Sequence, residues 1–235
     1  MRGRIFMTEK LLTNLNRVRE SIAGAAVNSG RRPEEILLLP VTKTVEADRI
    51  NVILDAGVRA IGENRVQEIT QKAPLLKSPD IHLIGHLQSN KVRQVLPLVG
   101  MIESVDSRKL AKEISECSLK LGRVTDILVE VNIGNDANKF GVRPEETYEF
   151  LHEISVFGGI SVKGLMTIAP LTDKKSETQK FFSNMRQLFI DISSKKLDNI
   201  NMNVLSMGMS DDYTLAVAEG STLVRVGSAI FGHRA

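Results

Sequence analysis

Residues 36–43 read Ile-Leu-Leu-Leu-Pro-Val-Thr-Lys, a short apolar run that ends on a lysine. Its first six residues, Ile36–Val41, predict a buried β-strand, and seven further runs of this kind follow along the chain. A helix-like amphipathic stretch follows each run except the last. The other seven predicted strands are Ala60–Ile61, Ile81–Ile84, Met101–Val105, Ile127–Ile133, Val162–Ile168, Asn203–Ser206 and Leu223–Val226.

This alternation of strands and helices predicts a parallel sheet with helical crossovers. Eight units in 235 residues favour closure into a single (β/α)8 TIM barrel, a fold that typically takes about 250 residues. A doubly wound open sheet is the alternative. Before the first strand, an apolar stripe from Leu11 to Ala25 predicts an extra N-terminal helix. We expect residues 1–235 to form one domain, with residues 1–7 an extension or a disordered segment.

Composition and charge exclude several classes of protein. The 31 basic and 28 acidic residues leave a scattered net charge of +3, which gives no nucleic-acid footprint. The apolar run at the N-terminus is too short for a signal peptide, and no segment is long enough to cross a membrane, so we expect a cytoplasmic protein. Cys117, the only cysteine, lies on a predicted helix stripe and is expected to be a core thiol. The four histidines show no metal-ligand spacing.

Polar residues gather where the predicted strands end, which is where barrel enzymes place their sites. Lys43 ends the first strand and is placed either for chemistry or to reach water. The stretch Ser206–Ser210 and the pair Gly227-Ser228 follow strands 7 and 8, where barrels often bind phosphate. The alternative is that both are helix caps. We interpret Asp211 and Asp212 as first-turn helix acids that point away from a phosphate.

A lysine after strand 1 together with a phosphate cradle after strands 7 and 8 suits a phosphorylated aldehyde, because a partly desolvated amine can attack a carbonyl carbon. Arg225 shares one face of the last strand with Leu223 and Gly227. Proteins that bind pyridoxal 5′-phosphate (PLP) use Asp or Arg as the partner of the pyridine nitrogen, so Arg225 is a candidate for that contact. Glu63 is expected to form an ion pair with a lysine at the barrel mouth, in preference to acid–base work.

Six runs of sequence resemble the YggS/PROSC family, the pyridoxal phosphate homeostasis proteins. The resemblance covers nearly the whole chain from about Leu11, and the runs are specific only in combination. Ile81, Arg65, His86 and Ser228 depart from the residues common in the family, which leaves open the detailed lining of the pocket. The matching runs are Leu-Leu-Pro-Val-Thr-Lys (38–43), Gly-Glu-Asn-Arg-Val-Gln-Glu (62–68), His-Leu-Ile-Gly-His-Leu-Gln-Ser-Asn-Lys (82–91), Gly-Leu-Met-Thr-Ile (164–168), Leu-Ser-Met-Gly-Met-Ser-Asp-Asp (205–212) and Gly-Ser-Thr-Leu-Val-Arg-Val-Gly-Ser-Ala-Ile-Phe-Gly (220–232).

The resemblance implies a barrel like the N-terminal domain of alanine racemase, with PLP as cofactor. It places the Schiff base on Lys43 and the pyridine-nitrogen contact on Arg225. It also brings Asn64, His82 and Met166 near the pocket, although the position of His82 on a strand beside Leu83 favours a hydrogen-bonded structural histidine. The phosphate contacts fall on Ser206, Met207, Ser210, Gly227 and Ser228.

The function implied is to hold, buffer or deliver PLP, and so to influence vitamin B6 and amino-acid balance without robust catalysis. Arg225 at the ring nitrogen would keep it unprotonated, which makes a poor electron sink. We expect a monomer whose PLP passes to acceptor enzymes that require it. One alternative is an amino-acid racemase, which needs a second base, whereas Tyr148 and Tyr213 fall on predicted helices. The other alternative is a phosphate-binding barrel without PLP.

Overall fold

The computed structural model describes residues 2–195 and 197–232, which form eight parallel strands surrounded by helices. The strands follow the order β1-β8-β7-β6-β5-β4-β3-β2 around the sheet. The strands are β1 Leu37–Pro40, β2 Ala60–Glu63, β3 Asp80–Leu83, β4 Met101–Val105, β5 Thr125–Glu130, β6 Ile160–Met166, β7 Ile200–Ser206 and β8 Leu223–Val226. The α-helices are α1 Arg2–Asn28, α2 Ala47–Asp55, α3 Val66–Lys72, α4 Val92–Val95, α5 Arg108–Lys120, α6 Thr147–Ile154, α7 Lys175–Ser193, α8 Tyr213–Ala218 and α9 Ser228–Phe231.

Strand β1 closes the barrel by contacting both ends of the sheet. It pairs with β8 along its whole length, and just beyond it Val41 forms a parallel bridge with Gly62 at the end of β2. The Thr42 amide also donates to the Gly62 carbonyl over 2.9 Å. The predicted barrel is therefore confirmed and the open sheet is wrong. Strand β2, predicted as two residues, extends to Glu63.

Helix α1 covers the outside of β8 with the predicted apolar stripe. Leu11, Leu15, Val18 and Ile22 are buried, and Ala26 is the fully buried residue that ends the stripe where Ala25 was expected. The helix begins at Arg2, well before the stripe. Its partners are apolar side chains of α2, α8, β8 and α9: Ile53, Val217, Val224, Val226 and Ile230.

The two faces of each strand separate the apolar shell from the barrel interior. Val224 and Val226 of β8 pack under α1, so Arg225 between them faces inward and is 3% exposed. Cys117 is buried on α5 as expected. Among the described residues, no helix is long and apolar enough to span a bilayer, and no three His, Cys, Asp or Glu side chains cluster as metal ligands.

Candidate functional site

Lys43 lies in a tight turn immediately after β1, at the C-terminal end of the barrel strands. Its side chain is exposed, whereas Thr42 before it is fully buried. Thr44 after it has a φ of 62°, a left-handed conformation that is uncommon for residues other than glycine. The turn therefore has a defined, strained geometry that presents the Lys43 amine at the mouth.

An ion cluster from β2 and α3 holds this turn in place. The Lys72 amine donates to the Thr42 carbonyl over 2.8 Å and pairs with both Glu63 and Glu68 at 2.7 Å. Glu63 also accepts from the Thr42 hydroxyl, and Glu68 accepts from the Thr44 amide. The predicted pairing of Glu63 with a lysine is confirmed. Burial raises the pKa of Glu63, against the lowering effect of Lys72 and Thr42.

Arg225 occupies the interior on β8, the strand next to β1. Its Nη1 donates to the Ser206 hydroxyl over 2.5 Å and its Nη2 to the Thr167 carbonyl over 2.8 Å. Among the described residues no atom accepts from its Nε–H group. Burial lowers the pKa of Arg225, which the charges of Glu103, Glu130 and Asp212 oppose. Among the described residues the guanidinium thus keeps its Nε–H group, and one further N–H on each Nη atom, for an acceptor such as a pyridine nitrogen.

His82 connects to Arg225 through two other buried side chains. Ser206 donates to one oxygen of Glu103 over 2.7 Å, and the other oxygen lies 2.7 Å from His82 Nδ1. His82 Nε2 lies 3.5 Å from Asp80. Burial opposes the charged imidazolium, but the hydrogen bonds that it donates to Asp80 and Glu103 outweigh this effect and raise the pKa of His82 to about 9. Both ring nitrogens are therefore occupied, which agrees with the interpretation of His82 as a hydrogen-bonded structural residue.

The loops after β7 and β8 meet at the same end of the barrel. The Ser210 hydroxyl accepts from the amides of Gly227 and Ala229 over 3.1 and 3.3 Å, so Ser210 serves as the cap that the alternative interpretation foresaw. The amides of Gly208, Ser210 and Ser228 donate to no atom in the described part of the chain. Backbone N–H donors that have no acceptor, gathered in one loop, are the groups that bind a phosphate.

Asp212 does not point away from this loop, contrary to the sequence interpretation. Its Oδ1 accepts from the Met209 amide over 2.6 Å, because the carboxylate folds back over the loop that precedes α8. Burial raises the pKa of Asp212, opposed by the Met209 bond and by Arg225. Asp211 is exposed. Met207, a predicted contact, is fully buried in the shell between the barrel and its helices. Its amide donates to the Leu223 carbonyl over 3.1 Å and its carbonyl accepts from the Ser221 hydroxyl over 2.9 Å, so both backbone groups are already paired.

Asn64 and Met166 lie at the ends of β2 and β6, as the resemblance implied. Met166 is fully buried, and Asn64 is half-buried. The backbone of Asn64 touches Gly85 in the loop after β3, where an added Cβ would come 2.3 Å from the Asn64 carbonyl oxygen. Gly85 is therefore required for the close approach of these two loops.

Glu130, at the end of β5, is a site residue that the sequence interpretation missed. Its neighbours Val129 and Val131 belong to the outer shell, so Glu130 faces inward. It is 8% exposed. Burial and the negative charge of Asp106 raise its pKa to about 7, against the effect of Arg225. Strands β1 and β5 are four apart in a ring of eight, so this carboxyl and the Lys43 turn stand on opposite sides of the mouth.

The signal for Glu130 was present in the sequence. Its carboxyl interrupts the predicted strand Ile127–Ile133, in which it is the one charged side chain. Glu103 was missed as well, although it stands inside the predicted strand Met101–Val105. A charged residue within or at the end of an apolar strand is the common mark of Glu130, Glu103 and Lys43.

Comparisons with known proteins agree with this geometry. The family described as "Alanine racemase, N-terminal domain" matches residues 13–235. A protein of Aquifex aeolicus named pyridoxal phosphate homeostasis protein is 38% identical over 222 residues, covering 94% of this chain and 96% of the relative. The protein of the same name from Escherichia coli K12 is 36% identical over 227 residues, covering 94% of this chain and 95% of the relative.

Solved structures give the same assignment. PipY of Synechococcus elongatus PCC7942, with PLP bound, is 35% identical, has a TM-score of 0.79, and covers 90% of this chain and 100% of its own. An alanine racemase of Clostridium difficile 630 is 19% identical with a TM-score of 0.75 and covers 96% of this chain and 57% of its own, which shows a shared fold. The chain belongs to the alanine racemase N-terminal domain family and, within it, to the pyridoxal phosphate homeostasis proteins.

Proposed function

We propose that this protein binds PLP at the mouth of the barrel, held as a Schiff base on Lys43. The observation that carries the proposal is Arg225. This buried guanidinium keeps an Nε–H group without an acceptor among the described residues, and its strand is the neighbour of the one that ends at Lys43. An amine and a free guanidinium donor on adjacent strands fit the aldehyde and the ring nitrogen of one flat cofactor.

The remaining groups would contact the phosphate and the ring of the cofactor. The unused amides of Gly208, Ser210 and Ser228 would bind the phosphate, with Gly227 keeping the turn tight. Asn64 and Met166 would contact the ring from the ends of β2 and β6. When bound, PLP supplies an electrophilic aldehyde and a ring that can withdraw electrons.

The protein's own residues favour holding PLP over turning substrates over. Arg225 at the ring nitrogen keeps that nitrogen unprotonated and so weakens electron withdrawal. A racemase, the alternative, needs a second base, and the two tyrosines do not offer one from a strand end, because Tyr148 lies on α6 and Tyr213 on α8. We therefore propose a cytoplasmic, monomeric carrier that holds or delivers PLP to acceptor enzymes and so supports vitamin B6 and amino-acid balance.

Reconstitution with PLP tests this function. We expect the purified wild type to acquire a yellow absorption band, and borohydride to fix the cofactor on the peptide that contains Lys43. Lys43→Ala and the charge-retaining Lys43→Arg should lose the fixed adduct, while Lys109→Ala, at an exposed position on α5, should keep it. A wild type that takes up no PLP, or a Lys43→Ala variant with the same adduct, refutes the proposal. Turnover of L- to D-amino acids at ordinary enzyme rates would favour the racemase.

A further inference from the structure

A continuous line of buried polar side chains crosses the barrel from the mouth to its opposite end. It runs from Arg225 through Ser206, Glu103 and His82 to Asp80, with successive contacts of 2.5, 2.7, 2.7 and 3.5 Å. The four inner residues are at most 3% exposed. The Asp80 side chain is 54% exposed, so the line begins in solvent at the N-terminal end of β3.

This line is connected in a way that fixes each member. Glu103 uses one oxygen for Ser206 and the other for His82, which leaves its carboxylate no rotational freedom without losing a bond. The Ser206 hydroxyl accepts from Arg225 and donates to Glu103. Among the described residues, Arg225 therefore makes no direct ion pair with a carboxylate, and its Nη1 position depends on a serine that is itself held by Glu103.

We propose that Ser206, Glu103 and His82 are positioning residues that hold the Arg225 guanidinium so that its Nε–H group points at the cofactor's ring nitrogen. If its two Nη atoms were not held, the guanidinium could rotate until its Nε–H group found an acceptor within the protein, because buried donors are normally paired. The raised pKa of His82 supports the arrangement, because an imidazolium carries a proton on Nδ1 to donate to Glu103, whose other oxygen accepts from Ser206. This inference rests on the proposed PLP binding only for its ligand. The line of polar side chains is present in the protein without PLP.

The first test uses the protein without PLP. In the wild type we expect a sharp ¹⁵N–¹H NMR signal from Arg225 Nε. Ser206→Ala, which cuts the line beside Arg225, and Glu103→Gln, which removes the carboxylate charge but keeps its shape, should broaden or move that signal. Ser104→Ala is the matched control: it removes a hydroxyl from a buried serine next to Glu103, but that hydroxyl donates to the Gly85 carbonyl and lies outside the line.

The second test uses the protein loaded with PLP labelled at the ring nitrogen. Ser206→Ala and Glu103→Gln should shift the ring ¹⁵N resonance and weaken PLP binding about tenfold, the loss expected for one misplaced charge-assisted hydrogen bond. The Schiff base on Lys43 should still form. Ser104→Ala, even if it lowers the melting temperature, should leave the ring resonance in place, which separates positioning from general destabilisation.

The two tests separate the two claims. An unchanged Arg225 signal in both Ser206→Ala and Glu103→Gln overturns the positioning role, whether or not PLP binds. Loss of PLP uptake by the wild type refutes the proposed function. The Arg225 signal in the protein without PLP still tests whether Ser206 and Glu103 position the guanidinium. A ring resonance that moves equally in Ser104→Ala also overturns the inference, because any buried substitution would then produce the effect.

Discussion

Glu130→Gln should stabilise the protein at neutral pH, because the site holds a carboxylate where burial disfavours its charge. The substitution keeps the shape of the side chain and removes the ionisation. In the folded protein the pKa of Glu130 is raised from 4.5 to about 7, chiefly by burial and by Asp106. The folded state therefore holds the proton more tightly than the unfolded chain does.

The magnitude follows from linkage between protonation and folding. Below pH 4.5 the carboxyl is protonated in both states, and Glu130 contributes its full stability. As the pH rises from 4.5 to about 7, the unfolded state ionises first and that contribution is lost. The rise in pKa corresponds to about 3 kcal/mol. Because Glu130 is 8% exposed, solvent screening takes little from this figure.

Urea denaturation of both proteins without PLP, at half-unit steps from pH 4.5 to 8.5, checks the prediction. We expect the free energies of unfolding to agree near pH 4.5, to diverge across pH 5–7, and to differ by about 3 kcal/mol above pH 7.5. Glu153→Gln, at an exposed position on α6, should follow the wild type throughout. Parallel curves for Glu130→Gln and wild type would show that Glu130 ionises normally and would refute the reasoning.

Three further changes test other parts of the site. His82→Gln should remove a stabilisation of about 3 kcal/mol that is present below pH 6.5 and lost as the pH rises through about 9. The difference in free energy of unfolding between wild type and variant over pH 6–10 measures this stabilisation. A difference that stays constant with pH contradicts the prediction. Lys72→Met should cost about 3–5 kcal/mol in urea unfolding, because buried Glu63 loses its cation, and Lys72→Met with Glu63→Leu should recover much of this loss. Gly85→Ala should cost about 1–3 kcal/mol because its Cβ meets the Asn64 backbone; calorimetry would show an unchanged melting temperature if the two loops can separate freely.

The sequence was sufficient for the fold because each strand is marked by an apolar run and the alternation allows few topologies. The strands observed at β1, β4 and β8 fall within or at the predicted bounds. Strand β2 was the weakest prediction, because Gly62 and Glu63 carry no strand signal of their own. Their pairing is set by neighbours: Gly62 opposes His82 on β3, and Glu63 opposes Leu83.

The site was predictable where an unusual side chain ends a strand or lies on its inner face. Lys43 was found at the end of the first apolar run, and Arg225 from the alternation of the last strand, where it faces the interior. The contact of His82 with Glu103 was beyond reach, because it depends on the register of β3 against β4 and on side-chain rotamers. Asp80, by contrast, lies two residues before His82 on the same strand and therefore on the same face. The direction of Asp212 also depends on a fold-back bond to Met209, which helix patterns alone do not reveal.

The polar line through the barrel constrains how this protein can change during evolution. Loss of one member leaves a buried charge or hydroxyl without its partner, which is costly, whereas joint replacement of a buried ion pair by apolar residues is often neutral. Substitutions at His82 and Glu103 should therefore be strongly non-additive, each tolerated chiefly in the company of the other. Among relatives, the identities at these two positions are expected to covary, and a graft of this mouth onto another barrel would need the whole interior line with it.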